Sequence, residues 1–201
     1  MPEVDEPLII RRARSTDARA VTRLLLGIYG EDDYFVGDGP AAERNLARRL
    51  EVDDPLRSLY LVALGGAGNR EARNREGVGG WLELHRAPAW RLEHVAVLTL
   101  AVAPEFRRRG LARELLRRSF DWCEVVGVVK MSLHVRAGNS AAISLYEREG
   151  FEYEGRERGQ IRRRPAGDAD AGADAGADAE EFEGGYSDEL YEDNLIMGKW
   201  L

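Results

Sequence analysis

The sequence predicts an α/β domain built on a mixed, mostly antiparallel sheet flanked by helices. Three observations carry the prediction. Short apolar runs rich in β-branched residues alternate with segments of helical period along the 201 residues. Short polar loops join the early runs, which makes them antiparallel neighbours. A helical segment separates the run at 98–102 from the run at 129–135, and such a crossover makes those two strands parallel.

The elements follow in order. Leu8 to Arg11 reads as the first strand, and Ser15-Thr16-Asp17 as a helix start, with Ser15 or Thr16 capping and Asp17 in the first turn. Val21, Leu24, Leu25 and Ile28 then share one apolar face. Gly27 to Gly39 is a loop carrying Tyr29, Tyr34 and Phe35 among acids, and Ala41 to Leu50 a second helix. Ser58 to Leu64 is a strand, Gly65 to Gly77 a polar hairpin loop, and Val78 to His85 an alternating strand. Glu93 to Val102 is the central strand. A helix at 109–126, a strand at 129–135, a helix at 140–149 and a strand at 151–158 continue the alternation. Residues 166–185 are a run of Ala, Gly and acids, such as Asp170, Asp174 and Asp178, that offers no apolar face and reads as a disordered acidic insert.

The formal charge of -7 is misleading. Residues 165–194 hold 11 acids and no base, and without them 25 acids face 29 bases. A mildly basic body suits an anionic ligand, but the arginines form no aromatic-interleaved stripe of the kind that binds nucleic acid. No run of 18 apolar residues is present to span a membrane, and the acidic N-terminus lacks the apolar core of a signal peptide. The single cysteine, Cys123, excludes an internal disulfide and fits a reducing cytoplasm.

The chemistry concentrates in Leu98 to Leu116. Pro104 ends the apolar strand, and Arg107-Arg108-Arg109-Gly110-Leu111-Ala112 opens a helix with apolar positions at Leu111, Leu115, Leu116 and Phe120. The first amides of a helix have no partner in the helix, and its dipole makes that end positive, so such a turn can hold phosphate. Gly110 and Ala112 let a ligand lie against the backbone, and the arginines add charge. The pattern lacks the Gly-Lys-Ser/Thr of a nucleoside-triphosphate loop and the Gly-x-Gly-x-x-Gly of a dinucleotide fold.

Val102-x-Pro104-x-x-Arg107-x-x-Gly110-x-Ala112 resembles the acetyl-CoA loop of the GNAT superfamily of N-acetyltransferases. His134-Val-Arg-Ala-Gly-Asn139, followed by a helix carrying Tyr146 and then Gly150-Phe151, resembles that family's second signature. Tyr191 to Trp200 resembles its closing strand, which makes the insert an enlarged loop of the last hairpin and the chain one N-acetyltransferase domain, 1–201. The resemblance implies a sheet of about seven strands whose two parallel central strands splay apart at the cofactor.

It also implies acetyl-CoA as co-substrate, no metal, and direct attack by a primary amine in a ternary complex. Backbone at Leu100, Ala101 and Val102 would orient the pantetheine arm, and Arg107, Arg108, Arg109, Gly110, Leu111 and Ala112 would hold the pyrophosphate. Asn139, a helix cap by residue type, would also touch the cofactor arm, and Tyr146 would protonate the departing thiolate. Members acting on ribosomal proteins carry Glu at the position of His134, so His134 is the candidate base here. Glu83, His85, Glu93 and His94 are its rivals, as is a water chain. Acids at Glu31 to Phe35 and at Asp188, Glu189, Glu192 and Asp193 suggest a cationic acceptor. The Arg91-to-His94 lead-in and the closing strand resemble members acting on small amines or amino acids. The expectation is a small-molecule amine acceptor, with no nucleic-acid or membrane partner and room for a homodimer. The alternatives are a protein N-terminal acetyltransferase and a non-catalytic acyl-CoA sensor.

Overall fold

The computed structural model describes residues 9–30, 43–65, 77–86, 89–162 and 191–201. The aromatic and acidic loop after the first helix lies outside the described residues, and so does the acidic insert. Among the described residues seven strands form one sheet in the order β1-β2-β3-β4-β5-β7-β6. They are β1 (Ile9–Arg12), β2 (Ser58–Leu64), β3 (Val78–Arg86), β4 (Val95–Val102), β5 (Lys130–Arg136), β6 (Glu152–Arg162) and β7 (Tyr191–Trp200). All neighbours are antiparallel except β4 and β5. Among the described residues four α-helices accompany them: α1 (Ala18–Gly30), α2 (Glu43–Glu51), α3 (Leu111–Val126) and α4 (Ser140–Arg148).

Some boundaries shift, β6 running to Arg162 rather than 158 and α3 beginning at Leu111 rather than 109, and two further details differ from expectation. Neither Ser15 nor Thr16 caps the first helix. The Asp17 carboxylate instead accepts from the Arg14 amide at 2.7 Å and pairs with Arg11, and a 3-10 turn at Ser15–Asp17 leads into α1. The central strand begins at Val95 rather than Glu93, because Trp90–Leu92 form a 3-10 turn.

Register assigns the faces. Strand side chains alternate with period two. Leu84 lies opposite Leu98, and Ala96 opposite Met131, so Leu82, Leu84, Leu98, Met131 and Leu133 share one face. That face receives α3. A Cβ added at Gly80 would meet Leu111 and Leu115 at 3.1 Å, so glycine there lets the helix sit close. Leu82, Leu84, Leu115, Leu116 and Met131 are fully buried between the layers. Burying one such side chain contributes roughly 1.5–3 kcal/mol. The opposite face carries Tyr60, Trp81, Glu83, His85, Thr99 and His134, and α2 covers part of it where Arg49 reaches Glu83 and Tyr60.

Cys123 is fully buried, and burial pushes its thiol up to about 12, so it packs without reacting. Among the described residues no helix is long and apolar enough to cross a membrane.

Candidate functional site

The site begins where the parallel pair stops pairing. Val95, Ala96 and Val97 lie opposite Lys130, Met131 and Ser132, and there the ladder ends, although β4 continues to Val102 and β5 to Arg136. Beyond that point β4 keeps its bonds to β3 and β5 its bonds to β7, so a gap opens between the two inner strands. Backbone groups alternate sides along a strand. The Ala103 amide donates to Gly79 of β3 at 3.0 Å, which puts Leu100 and Val102 on the gap side. The Val102 carbonyl accepts instead from Arg107 Nε at 3.0 Å. Backbone of Leu100 and Val102 therefore lines the gap, whereas Ala101, also expected to orient the pantetheine arm, turns its backbone groups toward Trp81 of β3.

The turn at the mouth of the gap is held from two directions. Phe106 is buried against β3, where a Cβ at Gly79 would collide with its ring at 2.6 Å. Arg107 ties the turn to the end of β4 through Val102. The backbone passes twice through the left-handed region, at Arg108 (φ 60) and at Gly110 (φ 81). The non-glycine position costs of order 1 kcal/mol, a strain that clusters at functional sites. Gly110 is the N-cap of α3, and an added Cβ would meet nothing within 4 Å. Glycine is required there by the backbone angle, and the space above the helix terminus is open. The first helical bond runs from the Glu114 amide to Gly110, so the amides of Leu111, Ala112 and Arg113 head the helix. An open, positive helix end beside a lined gap fits a pyrophosphate continuing into an extended arm.

The far wall is the β5–α4 connection. Asn139 caps α4, its Oδ1 accepting from the Ala142 amide at 3.1 Å. Tyr146 is buried with its ring edge-on to Phe151 at 5.5 Å, and burial pushes its phenol well above the ordinary range, so it keeps its proton. Glu192 secures the connection from β7. It accepts from Arg136 Nε at 2.9 Å and Nη2 at 2.5 Å, and from the Gly138 amide at 2.7 Å. Asp193 of β7 accepts from Arg156 and from the Gly159 amide, the latter at 2.8 Å. Both acids are buried, at 7% exposure each, so neither lines an acceptor entrance as the sequence had suggested.

Position sorts the candidate bases. His94 lies at the closed end of the gap, its carbonyl accepting from the Val129 and Lys130 amides and its ring stacked on Trp200. Glu93 is beside it, its carbonyl bonded to Arg86. Neither borders the open half of the gap. Glu83 pairs with both Arg49 and His85. Burial alone would raise its pKa, but His85 and the Arg49 charge outweigh it and hold the carboxyl below the ordinary range. A carboxylate so stabilised is a poor proton acceptor at neutral pH. His134 lies on β5 beyond the last β4–β5 pair, with its side chain half exposed, at 53%. Sequence reasoning missed Glu157 of β6, whose Oε2 lies 3.8 Å from His134 Nδ1.

The comparisons bear on the family and the fold. Residues 32–151 match the model of the acetyltransferase (GNAT) family. A 60-residue stretch is 50% identical to a [ribosomal protein bS18]-alanine N-acetyltransferase of Salmonella typhimurium and spans 30% of this chain and 40% of that relative. The N-alpha-acetyltransferase RimI of Mycobacterium tuberculosis is 32% identical over 147 residues, which cover 73% of this chain and 80% of that relative. The fold is shared with a Salmonella typhimurium protein solved with its cofactor acetyl-CoA, at a TM-score of 0.69 and 18% identity, over 98% of this chain and 95% of that one. The chain belongs to the GNAT acetyltransferase family.

Proposed function

We propose that this GNAT-family chain transfers the acetyl group of acetyl-CoA to a primary amine, and that the amine is the N-terminal α-amino group of a protein. The observation that carries the first part is the early end of the β4–β5 ladder at a helix terminus kept open by Gly110. The second part is supported by relatives named as a ribosomal-protein alanine N-acetyltransferase and an N-alpha-acetyltransferase. The small-amine reading loses part of its motive, because Glu192 and Asp193 are committed to internal bonds.

The chain's residues then divide the work. Leu100 and Val102 hold the thioester arm by strand-like hydrogen bonds, and the head of α3 holds the pyrophosphate. Alignment of thioester and amine lowers the barrier by removing the freedom that two separate molecules would lose. His134 takes a proton from the incoming ammonium, which frees the lone pair for attack at the thioester carbonyl. Tyr146 keeps a proton available for the departing sulfur. General catalysis of this type contributes roughly 10²–10⁴-fold.

The test is a transfer assay with labelled acetyl-CoA against a peptide bearing a free N-terminal alanine, amino acids and polyamines. The proposal expects acetylated peptide in step with released thiol. Turnover on small amines alone would overturn the acceptor. Saturable acetyl-CoA binding with no turnover on any of them would replace the enzyme by an acyl-CoA-binding protein.

A further inference from the structure

We infer that Glu157, held by Asn194, is a positioning residue for His134 and balances the charge that His134 gains on taking the acceptor's proton. The inference rests on the reading of His134 as base.

The arrangement is built by register across three strands. His134 of β5 lies opposite Ile196 of β7, and Asn194 of β7 lies opposite both Arg136 of β5 and Glu157 of β6. His134, Arg136, Asn194, Ile196 and Glu157 therefore share the sheet face that α3 does not cover. Glu157 reaches diagonally over β7 to bring Oε2 within 3.8 Å of His134 Nδ1. The same oxygen accepts from Asn194 Nδ2 at 3.0 Å, and Asn194 is only 5% exposed. The carboxylate is thus anchored from below by a buried amide rather than left on a mobile side chain.

A backbone irregularity fixes where Glu157 stands. The β6–β7 register shifts between Glu157 and Ile161, so three residues of β6 oppose Asp193 alone. Asp193 holds that bulge through Arg156 and the Gly159 amide. Bulges of this kind re-aim neighbouring side chains and concentrate beside active sites.

At 3.8 Å the contact is an ion-pair distance, longer than a hydrogen bond. Glu157 therefore acts on the imidazolium more than on the neutral ring. Because Nδ1 faces Glu157, Nε2 is presented on the other side of the ring. The step moves one proton from the acceptor ammonium to Nε2, leaving a neutral amine and an imidazolium beside a carboxylate. Solvent removes the proton after transfer. No heavy-atom bond forms at either residue.

The experiment is a double-mutant cycle with Glu157→Gln, His134→Ala and both together. It reads single-turnover acetylation of an N-terminal alanine peptide, acetyl-CoA affinity by calorimetry, and melting temperature. Glu157→Gln keeps the volume and an oxygen for Asn194 but removes the charge. It is expected to slow transfer about tenfold, with acetyl-CoA affinity and melting temperature unchanged. His134→Ala is expected to slow transfer roughly 10²-fold. Adding Glu157→Gln to His134→Ala should cost nothing more, because the charge has lost its object. Full additivity, or no loss from Glu157→Gln alone, would overturn the inference while leaving His134 as base. Wild-type transfer in His134→Ala would instead remove the base reading itself, and the inference with it.

Discussion

Residues 98–112 line the gap from β4, and His134 lines it from β5 with Asn194 and Glu157 behind it on β7 and β6, so the first region is contiguous in the chain and the second, a strip of side chains, is assembled from three strands. In the proposed reading the contiguous region works through its backbone. Strand groups at Leu100 and Val102 and the amides heading α3 need only a small residue at Gly110 and a turn held by Phe106 and Arg107. The strip works through side chains whose meeting depends on β5, β7 and β6 keeping their register. Damage to the first should remove binding, and damage to the second should remove rate.

The sharpest way to break that division is at Gly110. Gly110→Glu forces a side chain onto a left-handed backbone and places a like charge where the proposed pyrophosphate would sit. Acetyl-CoA affinity should fall at least about 100-fold by calorimetry, which corresponds to roughly 2.7 kcal/mol. The fold should survive, because the position packs against nothing.

Glu192 holds the β5–α4 connection that follows the strip, so its loss should blur the division. Glu192→Ala removes a buried partner of Arg136 and the acceptor of the Gly138 amide. Breaking one side of a buried ion pair costs about 3 kcal/mol or more. Denaturant unfolding should show that loss, and affinity and rate should decline together.

Tyr146→Phe sharpens the comparison from within the far wall. The ring keeps its contact with Phe151 and only the hydroxyl is lost. Single-turnover transfer should slow roughly 10²-fold with acetyl-CoA affinity intact. An unchanged rate would retire the acid role.

The same contrast explains what was legible in the sequence. Strand, turn and helix at 98–112 read directly, because period, Pro104 and Gly110 are local signals. The parallel pairing of β4 and β5 followed from the crossover helix. The helix start at Ser15–Asp17 read correctly, with Asp17 in the first turn, but its cap did not: Arg14 is the N-cap, and Asp17 bonds the Arg14 amide while pairing with Arg11. Glu192 and Asp193 looked like surface acids because acids in a polar stretch usually are, and only register shows them reaching back to Arg136 and Arg156. Glu157 carried no signal at all: a Glu in an alternating charged strand is indistinguishable from its solvated neighbours until β7 places Asn194 beneath it. The Ala/Gly/Asp tract gives the smallest expected effect. Replacing residues 167–184 by a short Gly-Ser turn should leave melting temperature and acetyl-CoA affinity nearly unchanged, because its composition offers no packing surface.

The most direct measurement is acetyl-CoA affinity and single-turnover transfer on one preparation of His134→Ala, beside wild type. The division of the site predicts equal affinity and a rate lowered roughly 10²-fold. A parallel loss of affinity, or an undiminished rate, would contradict it.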